Sequence, residues 1–212
     1  MQGPAHLGLG WLLGARLGER RNRRIVGLAG LAPDIDIVVY PLAWLAGGCD
    51  LDHAFAVYAG VHHRYTHGIV FALAAGLLAW RLAAGRQRVR VALLSVLAVA
   101  LHLAGDVIAS GPAWPVYPLS PWSDLAWGVA WSWNASDWRN VTLSALAVVM
   151  ALGWSYRRGH SPLECVSYRA DDWMSSVMRG EFTAGPRFRL VLYGTLAVAV
   201  AIVVLPLLLY LR

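Results

Sequence analysis

The sequence predicts an all-α, polytopic membrane protein, and three observations lead to that fold class. Of the 212 residues, 58% are hydrophobic and only 14% are charged, which excludes a disordered chain and is untypical of a soluble domain. Several apolar runs approach the roughly 20 residues that cross a hydrocarbon layer about 30 Å thick. Most of the arginines lie between these runs. We therefore expect one integral membrane domain over residues 1–212, with about five spanning helices and a short N-terminal re-entrant or tilted helix.

The apolar runs give the expected elements in chain order. Residues 7–18 are too few to span at about 1.5 Å per residue, so they are expected to form the re-entrant or tilted helix. The next run contains Pro33, which should break the helix near Ala32 because proline lacks a backbone donor and disfavours helix in the residue before it. The expected spans are residues 25–47, 68–84, 91–110, 141–156 and 190–211.

The arginines predict the orientation of these spans. Residues 16–24 hold five arginines, 81–90 hold four and 157–189 hold six, whereas the polar stretches 48–67 and 111–140 hold one each. The positive-inside rule places the three rich stretches in the cytoplasm. The expected location is the bacterial inner membrane, with residues 157–189 as a cytoplasmic excursion that contains an amphipathic helix. Nucleic acid is not expected as a partner despite the net charge of +6, because these arginines would meet lipid headgroups.

Seven histidine and aspartate side chains are expected in the outer half of the membrane, where an ionisable group is costly unless it is paired, hydrated or bound to metal. At about 1.5 Å per residue, the two aspartates after Pro33 lie roughly 14–17 Å into their span, and the His/Asp pair of the later span lies roughly 17–23 Å in. Each of two pairs has its members four residues apart, on one helix face. The seven are His6, Asp34, Asp36, His63, His67, His102 and Asp106.

Imidazole and carboxylate together are the ligands of zinc and of harder divalent ions such as manganese. We therefore predict a metal centre made of these seven residues, with Zn²⁺ favoured, Mn²⁺ as the other candidate, and one or two ions. Other interpretations remain open. Asp34 and Asp36 could cap a broken helix, His102 and Asp106 could form a hydrogen-bonded pair or a proton relay, and two histidines could be haem ligands.

Two further polar features lie near the predicted centre. Arg64 stands between the histidines of one pair and could clamp an anionic oxygen, although it could equally extend to the membrane interface. A second patch could also supply ligands, but solvated charge is ordinary in a loop. That patch consists of Asp50, Asp52 and His53.

The ordered motifs resemble the YdjM-like family of membrane-bound proteins that are classed as metal-dependent hydrolases. The resemblance rests on His6 followed by small and apolar residues, on Pro33-Asp34-Ile35-Asp36, on His63-Arg64-Tyr65-Thr66-His67, and on His102 to Asp106. It covers roughly the first 120 residues, so the motif-bearing part is residues 1–122. Gly68 departs from the pattern, which has a serine there. The resemblance implies a metal-dependent hydrolase and implies no particular substrate.

The predicted function is a membrane-embedded, metal-dependent hydrolase that acts on a lipid or lipid-linked substrate, with a phosphoester bond favoured over an amide or carboxylic ester. Asp34 and Asp36 are the candidate catalytic carboxylates, and Arg64 would neutralise charge on a phosphoryl group. The alternative is a metal-ion or proton-coupled transporter, because intramembrane histidine and aspartate also mark ion pathways. Against it, we find no internal repeat, and the polar groups concentrate on one side of the membrane. A structural scaffold is the remaining hypothesis, and the sequence does not specify an oligomeric state.

Overall fold

The computed structural model describes residues 2–134 and 136–181, and within them the only ladder pairing is an isolated bridge between Val116 and Trp127. The all-α prediction is confirmed for this part of the chain. Its α-helices are α1 (Gly3–Gly14), α2 (Arg20–Leu31), α3 (Val39–Ala46), α4 (Leu51–Val61), α5 (Ile69–Leu82), α6 (Arg88–Ala109), α7 (Trp138–Arg158) and α8 (Tyr168–Met178). Short 3₁₀ segments occupy Ala32–Val38, Gly85–Gln87 and Pro162–Cys165.

Two helical stretches of the described chain are long and apolar enough to cross a membrane, Arg20–Ala46 and Gly85–Ala109. The predicted count of about five spans is therefore not confirmed. Helix α5 is apolar but has only 14 residues, and α1 has 12, in keeping with the short first helix that was expected. The span predicted over residues 190–211 lies outside the described residues.

The predicted break at Pro33 is confirmed. Helix α2 ends at Leu31, and the chain continues as the 3₁₀ segment Ala32–Val38 before α3 begins. Proline fits the first turn of such a segment, where its missing N–H would have no intrahelical partner. The change of helical pitch occurs at the two aspartates that follow Pro33, which places them at the junction between α2 and α3.

The expectation of a polar loop over residues 48–67 is wrong, because this stretch contains α4. The carboxylate of Asp50 caps the helix by accepting hydrogen bonds from the backbone N–H groups of Asp52 and His53, at 2.8 and 3.1 Å. Capping of this kind satisfies donors that the first turn of a helix leaves free. The patch of Asp50, Asp52 and His53 is thus the start of a helix.

Helices α1 and α2 pack backbone against backbone through glycines. A Cβ atom on Gly30 would lie 2.7 Å from the carbonyl oxygen of His6 and 2.9 Å from the Cα atom of Gly10. A Cβ on Gly10 would likewise lie 3.1 Å from the carbonyl oxygen of Gly27. Small residues allow two membrane helices to approach this closely. The approach brings the first turn of α1 against the end of α2, at the level of the 3₁₀ segment.

The opposite end of the bundle carries the arginine-rich stretches 16–24, 81–90 and 157–181, and we call it the arginine-rich end. Helix α8 lies there, so the predicted helix of the excursion is present within the described residues. The fully buried Glu164 accepts hydrogen bonds from the Arg23 guanidinium through both carboxylate oxygens at 2.8 Å, and from the Trp11 indole at 2.7 Å. A bidentate pair of this kind is strong and directional, and it joins the excursion to α1 and α2.

An apolar cluster fills the bundle from the arginine-rich end towards the two aspartates that follow Pro33. Its buried members come from α2, α5, α6 and the segments that follow α1 and α5: Leu17, Val26, Ala29, Ala79, Ala83, Val91 and Ala98. Such packing leaves few voids that admit water.

Candidate metal centre

The structure brings together all seven predicted histidines and aspartates, from four separate segments. The first turn of α1 supplies one, the 3₁₀ segment two, the turn after α4 two, and one face of α6 the last two. Among the described residues, the side chains form three overlapping groups of three, and within each group the potential ligand atoms lie within 4.8 Å of one another. The groups are His6, Asp34 and His102; His67, His102 and Asp106; and His62, His63 and His67.

The centre of the cluster is the contact between His67 and His102, whose Nε2 atoms lie 3.2 Å apart. Asp106 places one carboxylate oxygen, Oδ2, 3.0 Å from Nε2 of His102 and 3.6 Å from Nε2 of His67. Asp34 places Oδ1 at 3.4 and 3.8 Å from the same two nitrogens. Two ring nitrogens and two carboxylates therefore converge on one point.

The other ring nitrogens fix which way these histidines present their lone pairs. Nδ1 of His102 lies 2.8 Å from the carbonyl oxygen of Gly30, and because a carbonyl only accepts, Nδ1 carries the hydrogen. The Thr66 hydroxyl donates to Asp36, so it accepts from Nδ1 of His67 at 3.1 Å. In their neutral forms both imidazoles point unprotonated Nε2 atoms at each other, whereas a protonated His102 donates from Nε2 to Oδ2 of Asp106 at 3.0 Å. Two acceptors at 3.2 Å repel unless a cation or a shared proton lies between them.

This arrangement fits a divalent metal ion. Two nitrogens bound to one tetrahedral zinc ion at about 2.0–2.1 Å are about 3.3 Å apart, close to the 3.2 Å observed here. Histidine ligands of metals also commonly donate their second ring N–H to a carbonyl or a carboxylate, as His102 does here. The donor set, imidazole with carboxylate, suits zinc and manganese.

His6 closes the cluster on the α1 side. Its Nε2 atom lies 3.2 Å from Oδ1 of Asp106, and its ring stacks on the His102 ring with the centroids 3.5 Å apart. Both residues are buried. The backbone approach at Gly30 makes this stacking possible, because it is the His6 carbonyl that lies against Gly30.

His63 joins the cluster through an unusual backbone conformation. Its φ of 65° is in the left-handed region, and the ring is buried with Nδ1 3.1 Å from the carbonyl oxygen of Trp114. Its Nε2 atom lies 3.8 Å from Oδ2 of Asp106. The left-handed residue reverses the chain after α4, so that His63 and its neighbour His62 face the same centre with their ring centroids 4.0 Å apart.

His62 was not among the predicted site residues. Its Nδ1 atom lies 3.0 Å from both carboxylate oxygens of Asp36, which also accepts from Thr66 and lies 3.5 Å from Nδ1 of His67. Asp36 is therefore placed behind the histidines, where it orients His62 and Thr66. The adjacency of His62 to His63 was the only signal for it in the sequence.

Asp34 faces open space beside the cluster. Its side chain is 29% exposed, in contrast to the buried Asp36 and Asp106. It lines a cavity of about 390 Å³ that also exposes His62, His63 and Asp106, together with Tyr58 and Trp114. A ligand in this cavity would contact the cluster directly.

Arg64 is placed beside the cluster and turned away from its centre. The guanidinium donates to Asp124 at 2.8 Å and lies over the ring of Tyr117 at 4.2 Å. It lines a separate cavity of about 310 Å³ together with His62 and His63. The catalytic role of Arg64 stays a prediction.

The helical bundle and the buried cluster define a class of protein: a helical membrane protein with a histidine and aspartate centre that could hold a metal ion. Residues 1–209 match the YdjM inner membrane protein family, and the chain belongs to that family. The resemblance drawn from the motifs is confirmed, and the match extends well beyond the first 120 residues. The family is one of the inner membrane, as predicted. No curated protein and no solved structure matches the chain.

Proposed function

We propose that this protein is a membrane-embedded, metal-dependent hydrolase that cleaves a phosphoester bond in a lipid or lipid-linked substrate. One observation carries the proposal. The Nε2 atoms of His67 and His102 face each other at 3.2 Å beside two carboxylates, while their Nδ1 atoms are already hydrogen-bonded. We favour a divalent cation over a shared proton here because two imidazoles and two carboxylates that converge on one point match the ligand set of zinc and manganese.

The residues divide into two adjoining sets that could hold one or two ions. His67, His102, Asp106 and Asp34 form the first set, and His62 and His63 extend it on the other side of His67. Zn²⁺ is favoured and Mn²⁺ is the second candidate. A bound ion of this kind lowers the pKa of its water towards about 7 and polarises a phosphoryl oxygen.

The remaining side chains supply the other requirements of hydrolysis. Asp34 is partly exposed in the 390 Å³ cavity, where its carboxylate is the candidate to accept a proton from a water molecule. Asp36 holds His62 and Thr66 and so positions the histidines. Arg64 would balance the charge of a substrate phosphate if its guanidinium released Asp124, which is exposed.

The location of the cluster supports a lipid substrate. Asp34 follows Arg20 by 14 residues, which is about 21 Å along a helix, so the cluster lies in the half of the membrane away from the arginine-rich end. By the positive-inside rule this is the extracytoplasmic half. The apolar cluster around Val26, Val91 and Ala98 fills the bundle on the other side, which favours a site with access from one face over a transport pathway.

Elemental analysis of the purified protein tests the proposal. Wild-type protein, folded and monodisperse in detergent, should carry one or two equivalents of zinc or manganese. His102→Ala should lose at least one of them, and the matched variant His53→Ala, at an exposed position in α4, should lose none. Phosphate release from phosphatidic acid should stop with a chelator and return with the metal.

Two outcomes would overturn parts of the proposal. Wild-type protein that stays metal-free after incubation with each ion would end the metal mechanism and leave a proton-bound cluster. Protein that binds metal, releases no phosphate from any phospholipid and carries the ion across proteoliposome membranes would be a transporter.

A further inference from the structure

We infer that a groove beside the cluster binds one hydrocarbon chain of the lipid, so that the substrate is a phosphate-bearing lipid of the membrane leaflet opposite the arginine-rich end. The inference rests on the proposed function for the chemistry at the head group. It adds where the tail lies, from which side the lipid arrives and which residues select it.

The groove has a volume of about 660 Å³ and lies along α2 and the 3₁₀ segment. Its walls are aliphatic over most of their length, with Leu28, Leu31, Ile35 and Val38 among them. Its size is within the roughly 300–1,000 Å³ typical of sites that bind small organic ligands. Leu28, Ile35 and Val38 are all at least 40% exposed and belong to a stretch that can span the membrane, so the groove opens sideways into lipid.

The groove is continuous with the polar cavity at the cluster. Asp34 and Tyr58 line both spaces. On one side of these two residues the walls of the groove are hydrocarbon. On the other side the walls of the cavity are imidazoles, carboxylates and two residues that precede α7, Asn134 and Ser136. A ligand that fills both spaces must therefore be amphiphilic, with its polar part at the histidines.

The order of the residues along α2 and the 3₁₀ segment gives the orientation of that ligand. Leu28 is eight residues from Arg20 and Asp34 is 14, so the groove begins about 12 Å from the arginine-rich end and meets the cluster at about 21 Å, and its apolar wall continues past that level to Val38. In a hydrocarbon layer about 30 Å thick, its apolar end is near the midplane and its polar end is nearer the opposite surface. A lipid of that leaflet has the same orientation, with its tail towards the midplane and its phosphate outward.

Photocrosslinking of the full chain in nanodiscs tests the inference. The probe is phosphatidic acid with a diazirine midway along one acyl chain, and the crosslinked residues are identified by mass spectrometry. We expect crosslinks at Leu28 and Leu31 at least several-fold above those at Leu93, a lipid-facing residue of α6 that is 65% exposed and lies outside the groove. Equal crosslinking at Leu93 would mean ordinary bilayer contact and would overturn the inference.

Tryptophan substitutions provide the second measurement. Leu28→Trp and Ile35→Trp each place a large ring in the groove from an exposed position, where folding should tolerate it, and each should lower the crosslinking of the other groove residues about tenfold. Leu93→Trp is the matched control and should change nothing. Unchanged crosslinking in both groove variants would contradict the proposal.

The experiment separates the groove from the hydrolase. Crosslinking needs no turnover and is performed with a chelator present. Crosslinks in the groove without any phosphate release would leave the groove in place and refute the hydrolase. Metal-dependent phosphate release with crosslinks spread evenly over the lipid-facing surface would support the hydrolase and refute the groove as the site of the acyl chain.

Discussion

Alanine in place of Gly30 should push α1 away from α2 and weaken metal binding at the candidate centre. The added Cβ would lie 2.7 Å from the His6 carbonyl oxygen and 2.9 Å from the Cα atom of Gly10, whereas ordinary contact begins near 3.4 Å. Both partners are backbone atoms, so the helices must separate by about 0.5–0.7 Å to restore ordinary contact. The same displacement moves the His6 ring from His102 and turns the Gly30 carbonyl that orients His102.

The size of the effect follows from two opposing terms. Overpacking of this kind costs about 1–3 kcal/mol, and alanine regains about 1 kcal/mol over glycine in a helix interior. A net loss of about 0–2 kcal/mol corresponds to a fall of up to about 8 °C in the unfolding midpoint of a chain of this size. Loss of a group that orients a metal ligand commonly weakens metal binding about 10–100-fold.

Tryptophan fluorescence during heating, in the presence of a chelator, measures the unfolding midpoint. Competition with a fluorescent zinc chelator measures the Kd for zinc. Gly153→Ala is the control, because a Cβ there meets no atom within 4 Å; it should keep the zinc Kd and keep or raise the midpoint. Gly30→Ala with the midpoint and the Kd of the wild type would refute the claim that close helix packing shapes the cluster.

Two further predictions concern the arginine-rich end and the topology. Glu164→Ala leaves the buried Arg23 without its carboxylate, which should lower the free energy of unfolding by about 3–5 kcal/mol. The control Glu181→Ala removes an exposed pair with Arg179 that is worth about 0–1 kcal/mol. Similar unfolding midpoints for the two variants would contradict a stabilising role of the buried pair. Burial raises the pKa of the Cys165 thiol to about 12, so it stays protonated and unreactive, while Cys49 is exposed. An impermeant maleimide added to intact spheroplasts should therefore label the wild-type protein at Cys49, whereas the Cys49→Ser variant should stay unlabelled until it is denatured. If the wild-type protein is labelled only in inverted vesicles, the predicted orientation is reversed.

The sequence predicted the members of the cluster better than the helices that carry them. Depth along apolar runs and the i, i+4 spacing of His102 and Asp106 were enough to place residues from four segments at one level, because both follow from the fixed rise of a helix. The helix α4 was missed because its charged first turn, Asp50 to His53, has the composition of a loop. The cap at Asp50 was a readable signal, since an aspartate before an apolar run is typical of a helix start.

Other features depend on tertiary contacts that a single sequence does not encode locally. Arg64 was expected beside the centre, as a clamp for an anionic oxygen, because it stands between two candidate ligands, yet its guanidinium pairs with Asp124, 60 residues away. The role of His62 depends on Asp36 and on the reversal of the chain at the next residue. The number of spans was inferred from apolar length alone, which does not distinguish a helix that crosses the membrane from a short one packed within the bundle.

The left-handed backbone of His63 sets stability and chemistry against each other at a single residue. A side chain in that conformation costs about 1 kcal/mol or more relative to glycine, which has no Cβ to crowd the carbonyl. The chain nevertheless has a buried imidazole there, and its contact with the Trp114 carbonyl offsets that strain. Asparagine, which tolerates the left-handed region and keeps a polar side chain, should therefore destabilise the fold less than valine at residue 63, whose branched side chain is worst suited to this backbone.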